Sequence, residues 1–295
     1  MELAAMARIG SVRIERNSEF ESLGFVSHSR PRMLVYISSE GFIPQLLDNP
    51  AFACAVTTPE LACKLPTECG LALAEDPRRA FFEFHNWLAT ETDFYWADFE
   101  AEISQKAVID PAAYIAEKNI RIGPGTVVEP GAVVLERSII GAEVVLRTGC
   151  TIGCHGFEFK RFGHEVLRVA HGGGVLLHDR VEIQNNAGVD RSVFGGFTQI
   201  GEDTKIDTLV HIGHNAQIGR RCLIASGTLV AGSATVGDDV WIGPAASISS
   251  EVTVGDGASI TIGSVVTKDV APGQRVTGNF AIDHDKFLAF LRTIR

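Results

Sequence analysis

The chain has 295 residues, 45% of them hydrophobic and 21% charged, and a formal net charge of −10. That length can bury a sizeable core in one or two domains, no apolar run is long enough to span a bilayer, and residues 1–16 (MELAAMARIGSVRIER) lack the apolar centre of a secretory signal. The expectation is a cytoplasmic protein with at most peripheral membrane contact, and the lack of any basic stripe excludes nucleic acid as a partner.

Residues 1–102 read as a small N-terminal α/β domain, with short apolar runs at Met33–Ser38 and Leu71–Ala74 and a helical stretch at Pro77–Leu88. Most of the acidity lies here: residues 1–100 hold eight Lys/Arg against fifteen Asp/Glu, which is −7 of the total −10. From 103 to 270 a six-residue period takes over. Ile122, Val128, Val134, Ile140, Leu146 and Ile152 form one column, and twelve aliphatic residues then recur six apart from Ile200 to Val266. Neither a helix nor an ordinary strand has that period; fixed self-similarity of this kind marks a solenoid. A second column four positions on (Thr126, Ala132, Ser138, Val144, Cys150) is small or branched, as tight corners require. Three six-residue sides make an 18-residue triangular coil. The predicted fold is therefore mainly β: a left-handed parallel β-helix of hexapeptide repeats, preceded by the α/β domain and followed by a short C-terminal helix.

The period fails at Phe157–Gly174 and between Val189 and Ile200, which read as insertions at corners, where binding faces are commonly built. The tail, 271–295, ends in an amphipathic stretch with Phe287, Phe290, Leu291 and Ile294 on one side. A helix that short is marginal alone, so it packs either in a three-helix cluster at the end of a homotrimer or as a cap on its own subunit. The six cysteines show no CxxC spacing and read as buried small residues, with no metal site implied.

One segment carries chemistry: His211-Ile-Gly-His214-Asn215. Ile212 belongs to the inward column, so His211 and His214 flank it and face outward. A histidine is the usual general base near neutral pH. Asp207, next to inward Ile206, is a candidate to orient the imidazole of His214. One coil of 18 residues beyond His214 stands Gly232, whose backbone N–H is the kind of donor an oxyanion hole needs when an amine attacks a thioester.

Several stretches resemble the bacterial UDP-3-O-acylglucosamine N-acyltransferases of lipid A synthesis. Residues 152–159 (IGCHGFEF) are similar to that family's IGADGFGF, 173–183 (GGVLLHDRVEI) to GGVVIGDDVEI, 189–191 (VDR) to IDR, and 205–215 (KIDTLVHIGHN) to KLDNQIQIAHN. The resemblance implies that His214 is the catalytic histidine, Asp207 its nearby aspartate and Gly232 the oxyanion donor. Residues 34–46 (LVYISSEGFIPQL) are similar to ITFMVNPKYREHL, which implies that Tyr36 and Phe42 hold the uracil ring. From their places in the chain, His211 beside the inward column and His155 at the edge of the first interruption are expected to contact substrate. Departures are His211, where the family has glutamine, Ser39 and Thr208, where it has asparagine, and Glu251, where it has a second histidine. HIGHN is partly similar to HIAHD of the sister O-acyltransferases, and residues 265–279 (VVTKDVAPGQRVTGN) resemble the endings of acetyl-CoA-dependent sugar acetyltransferases.

The expected function is N-acyl transfer in lipid A biosynthesis by a homotrimer. A 3-hydroxyacyl group would move from acyl carrier protein to the amine of a UDP-linked amino sugar, with no bound cofactor. Carrier protein is strongly acidic, so Arg220 and Arg221, with Lys268 and Arg275, are expected to form its basic patch. The alternatives are an acetyl-CoA-dependent amino-sugar N-acetyltransferase, a zinc lyase like the γ-type carbonic anhydrases, and a non-catalytic trimeric module.

Overall fold

The computed structural model describes residues 1–10, 12–278, 281 and 283–293. Ile294 of the expected apolar stripe and Asn279 of the tail motif lie outside the described residues. The chain divides into two compact units: Met1–Glu100 with His155–Gly174 and Arg191–Phe197, and Ala101–Cys154 with Val175–Asp190 and Thr198–Arg295.

The second unit is the solenoid. Its described strands, most of them two residues long, stack in parallel into three sheets of nine, eight and eight. In the regular part, successive coils place residues 18 positions apart side by side: Lys205 on Leu223, Leu223 on Trp241 and Trp241 on Ser259. All twelve aliphatics of the repeat point inward, none more than 6% exposed. Because one residue of each two-residue strand points in, its neighbour must point out, so every face presents a column of outward side chains.

The corners follow their own rule. From Ile200 onward the second residue of the corner turns takes a left-handed backbone conformation, and non-glycine residues such as Leu209 (φ +60°), Ser233 (+62°) and Ala245 (+54°) do so as readily as Gly227 (+68°). Such a conformation costs an L-residue roughly 1–2 kcal/mol; the stacked ladder on either side holds it. Buried threonines tie some corners to the next coil: Thr204 Oγ1 donates to Gly219 O (2.8 Å) and accepts from Cys222 N–H (3.0 Å). Thr126 does the same with Gly141 O and Val144 N–H. The solenoid gains one strand beyond residue 270, because Arg275–Val276 pairs in parallel with Ser259–Ile260. A helix, His284–Thr293, follows, with Phe287 and Phe290 exposed.

The first unit has a five-stranded sheet in the order Arg13–Arg16, Gly70–Leu73, Phe52–Thr57, Met33–Ile37, Ser22–Leu23, antiparallel only at the first pairing. Helix Pro77–Glu91 starts where sequence dictates: Asp76 caps it by accepting from Arg79 N–H (2.9 Å), and Pro77 sits at its first position. It buries Phe81, Phe82, Phe84, His85 and Leu88. Both interruptions of the repeat contribute to this unit, since Val169, Val193 and Phe194 lie in its core beside those phenylalanines. The first interruption also forms a hairpin of Phe159–Phe162 and Glu165–Arg168.

Candidate active site

His211 and His214 stand where the grid puts them. Strand His211–Ile212 buries Ile212 and exposes His211, and the chain then turns a corner through His214 and Asn215, the latter at φ +61°. One coil on, Gly232 lies against the His214 ring. A β-carbon on Gly232 would be 2.6 Å from His214 Cε1, 2.7 Å from Nε2 and 3.0 Å from Nδ1. Only glycine admits the imidazole there.

The N–H of Gly232 belongs to the first residue of a corner turn, and at several other corners the equivalent N–H is taken by an aspartate. Ala142 N–H donates to Asp179 (2.8 Å), Arg220 N–H to Asp238 (2.8 Å), Ser226 N–H to Asp207 (3.0 Å) and Asp238 N–H to Asp256 (2.8 Å). Among the described residues no acceptor takes the Gly232 N–H. A side chain at Gly213 would come within 2.7 Å of the Gly232 nitrogen, so glycine at 213 leaves that donor uncovered. An imidazole beside an unoccupied backbone donor supplies the two elements of acyl transfer, a proton acceptor and an anion stabiliser.

Asp207 is committed elsewhere than expected. Its two carboxylate oxygens accept from Thr208 N–H (2.7 Å) and Ser226 N–H (3.0 Å), so these bonds hold the corner preceding His211 and tie it to the next coil. Asp207 and His214 stand at successive corners of one coil, separated by the His211 strand. A carboxylate does stand beside the other histidine of the segment: His211 Nε2 lies 3.3 Å from Asp190 Oδ2. The hydrogen bond to Asp190 holds the His211 imidazolium above the ordinary histidine range, against the opposing effect of partial burial.

Arg220 and Arg221 do not form the expected basic patch. Arg220 bonds Asp238 (Nη2–Oδ2 2.6 Å), and Arg221 grips both oxygens of Asp239 at 2.7 Å. Each positive charge is matched one coil on, and Arg180 is similarly matched by Glu202 and Asp203. The corner is a ladder of alternating sign rather than a cationic surface.

In the first unit, Tyr36 is half-buried, its ring 5.2 Å from Phe81, 6.0 Å from Phe82 and 6.3 Å from Phe25. Burial raises its phenol above the ordinary range although Arg78 bonds the hydroxyl. Phe42, in the turn Glu40–Phe42, leaves 48% of its surface exposed. His155 also belongs to this unit, its ring 5.3 Å from that of His171. Among the described residues no three His, Cys, Asp or Glu are grouped to hold a metal ion, and no helix is long and apolar enough to cross a membrane.

A triangular solenoid that sets a histidine against an open corner N–H has the architecture of a hexapeptide-repeat transferase. Residues 197–232 match the family described as "Bacterial transferase hexapeptide (six repeats)". A UDP-3-O-acylglucosamine N-acyltransferase of Bradyrhizobium sp. (strain ORS 278) is 32% identical over 270 residues, covering 77% of this chain and 73% of that one. The chain belongs to the UDP-3-O-acylglucosamine N-acyltransferase family. Another member, from Gloeobacter violaceus, is 48% identical over 145 residues, 49% of this chain and 41% of its own length. Matches to members from Methylorubrum populi and two Anaeromyxobacter strains likewise span only 39–41% of the length of those relatives. Among solved structures, the UDP-N-acetylglucosamine acyltransferase of Campylobacter jejuni has the same fold, with TM-score 0.52 and 23% identity over 66% of this chain and 81% of that one.

Proposed function

We propose that the protein is an N-acyltransferase that moves a 3-hydroxyacyl group from acyl carrier protein to the amine of a UDP-linked amino sugar, as the names of its relatives indicate for that acceptor. The observation that carries this reading is the His214 ring against Gly232, whose N–H has no acceptor among the described residues. In the proposed reaction the amine nitrogen bonds the thioester carbonyl carbon, His214 takes the amine proton, and the carbonyl oxygen, now anionic, accepts from Gly232 N–H. Asp207 serves by pinning the corner that leads into the His211–His214 strand. Phe42, with its exposed ring, and Tyr36 are assigned to the nucleotide base, and His155 and His211 to the rest of the substrate. The working form is a homotrimer in the cytoplasm. With Arg220 and Arg221 neutralised, docking of an acidic carrier falls to Lys268 and Arg275, which have no ion pair among the described residues.

The test is a thiol-release assay with UDP-3-O-acylglucosamine as acceptor, offering hydroxyacyl carrier protein and acetyl-CoA in parallel. Release from the carrier thioester that His214→Ala abolishes, with the solenoid still folded, is the expected result. Release from acetyl-CoA alone would replace the donor, and undiminished turnover by His214→Ala would remove the mechanism.

A further inference from the structure

The hairpin formed by Phe159–Phe162 and Glu165–Arg168 has two unlike faces. Paired residues of an antiparallel ribbon share a side. Lys160 with Leu167 and Phe162 with Glu165 make one side, and there Phe162 and Leu167 pack on the core of the first unit. The other side carries Phe159 opposite Arg168 and Arg161 opposite Val166. This side is open: Phe159 is 43% and Val166 55% exposed, and both arginines are exposed. Phe157, just before the hairpin, is 89% exposed, more than any other large apolar residue described, and its ring lies 4.9 Å from that of Phe159. A contiguous exposed apolar patch marks a contact surface.

The charge on this face has one sign. The acidic groups of the hairpin are matched elsewhere, Glu158 by Lys160 and Glu165 by Arg79 (2.9 Å). Arg161 and Arg168 have no ion pair among the described residues, in contrast to Arg147, Arg180, Arg220 and Arg221 of the solenoid. A chain of net charge −10 thus keeps two uncompensated cations beside three exposed apolar side chains.

In the acyl-transfer reading, on which this inference rests, the acceptor carries one acyl chain and the product two. One chain gives marginal, reversible attachment to a bilayer, whereas two hold firmly, so the product belongs to a lipid surface. Rings interleaved with guanidinium groups suit such a surface: the rings enter the acyl boundary while the cations stay at the phosphates. A protein interface groups its apolar residues at the centre and its charges at the rim, and this checkerboard does not. We propose that the outer face of the hairpin, with Phe157, docks the enzyme on an anionic phospholipid surface, where it discharges its two-chain product. The acidity of the rest of the chain disfavours nonspecific adsorption, so attachment depends on this patch.

The test needs no turnover. The full chain is sedimented with vesicles of phosphatidylcholine alone, or of phosphatidylcholine and phosphatidylglycerol in equal parts. The anionic vesicles should bind at least about tenfold more protein, and added salt should release it. Phe157→Ser with Phe159→Ser should lower partitioning about tenfold or more, as should Arg161→Gln with Arg168→Gln. In Phe157→Trp, emission of the introduced indole should shift to the blue on the vesicles, and brominated acyl chains should quench it. No binding by the wild type, or binding that both paired variants leave unchanged, would overturn the proposal. So would an unquenched indole, a readout that requires no loss of function. A rise above about tenfold in KM for carrier protein in the arginine variant, or dissociation of an oligomer in the phenylalanine variant, would give the face to that partner and overturn it too. Thioester turnover is measured separately. A wild type that turns over without binding vesicles refutes the docking alone, and one that binds without turnover refutes the acyl-transfer reading alone.

Discussion

Gly232→Ala separates the catalytic use of this corner from its structural use. The new methyl carbon would fall 2.6 Å from His214 Cε1, whereas ordinary contact begins at 3.4 Å, so the ring must withdraw by roughly 0.8 Å. Misplacing a catalytic group by about 1 Å can cost on the order of 10²-fold, which is about 2.7 kcal/mol of transition-state stabilisation. The fold should tolerate the change, because Gly232 is absent from the left-handed positions that Gly227 and Gly257 occupy. Gly227→Ala is the mirror experiment: open space around the β-carbon but φ +68°. It should cost about 1 kcal/mol of stability, lower Tm by roughly 2–4 °C, and leave the rate unchanged. The thiol-release assay reads the first quantity and circular-dichroism melting the second. If Gly232→Ala kept its rate within about threefold, the close approach of His214 would have no catalytic meaning.

Other outcomes follow from the same geometry. Thr204→Val strips a donor from Gly219 O and an acceptor from Cys222 N–H. Leaving buried groups unsatisfied costs about 1–3 kcal/mol each, and the loss should appear as a lower unfolding midpoint in urea with the rate intact. Burial holds the His85 imidazole down at about 4, so in the folded first unit it stays neutral where the unfolded chain would take up a proton. Its contribution is full above the ordinary histidine pKa and drains away as pH falls toward about 4. The difference approaches about 3 kcal/mol, and hydrogen exchange of helix Pro77–Glu91 at pH 7.5 and 4.5 measures it. Finally, the double substitution of Arg220 and Arg221 by alanine should leave KM for carrier protein within about threefold. A rise above tenfold would restore the basic patch that the ion pairs remove.

The repeat was legible because each six-residue unit announces its inward residue without reference to anything distant. The same arithmetic found Gly232 beside His214, since that coil is uninterrupted. It failed at Asp190. Gly188 and His211 are register partners across 23 positions, five more than a regular coil, because Arg191–Phe197 leaves the solenoid between them. Allowing for that excursion would have brought Asp190 to the histidine. The Arg220 and Arg221 pairing was within reach, as Asp238 and Asp239 stand 18 positions on. Counting charges by segment hid it. Tyr36 illustrates the opposite difficulty: an aromatic in a strand gives no sign in sequence of the three phenylalanine rings that lie beside it.

The charged corner has a further consequence for how the coil finds its alignment. A core built from one aliphatic residue every six positions is nearly indifferent to a slip of six, because the next inward residue is another isoleucine or valine. The arginines are not indifferent. Moved by six, Arg220 would meet Gly232 or Pro244 in place of Asp238, and Arg221 would meet Ser233 or Ala245 in place of Asp239. The surface ladder thus acts as a combination lock on a repetitive interior, distinguishing one winding among several that the core alone would accept.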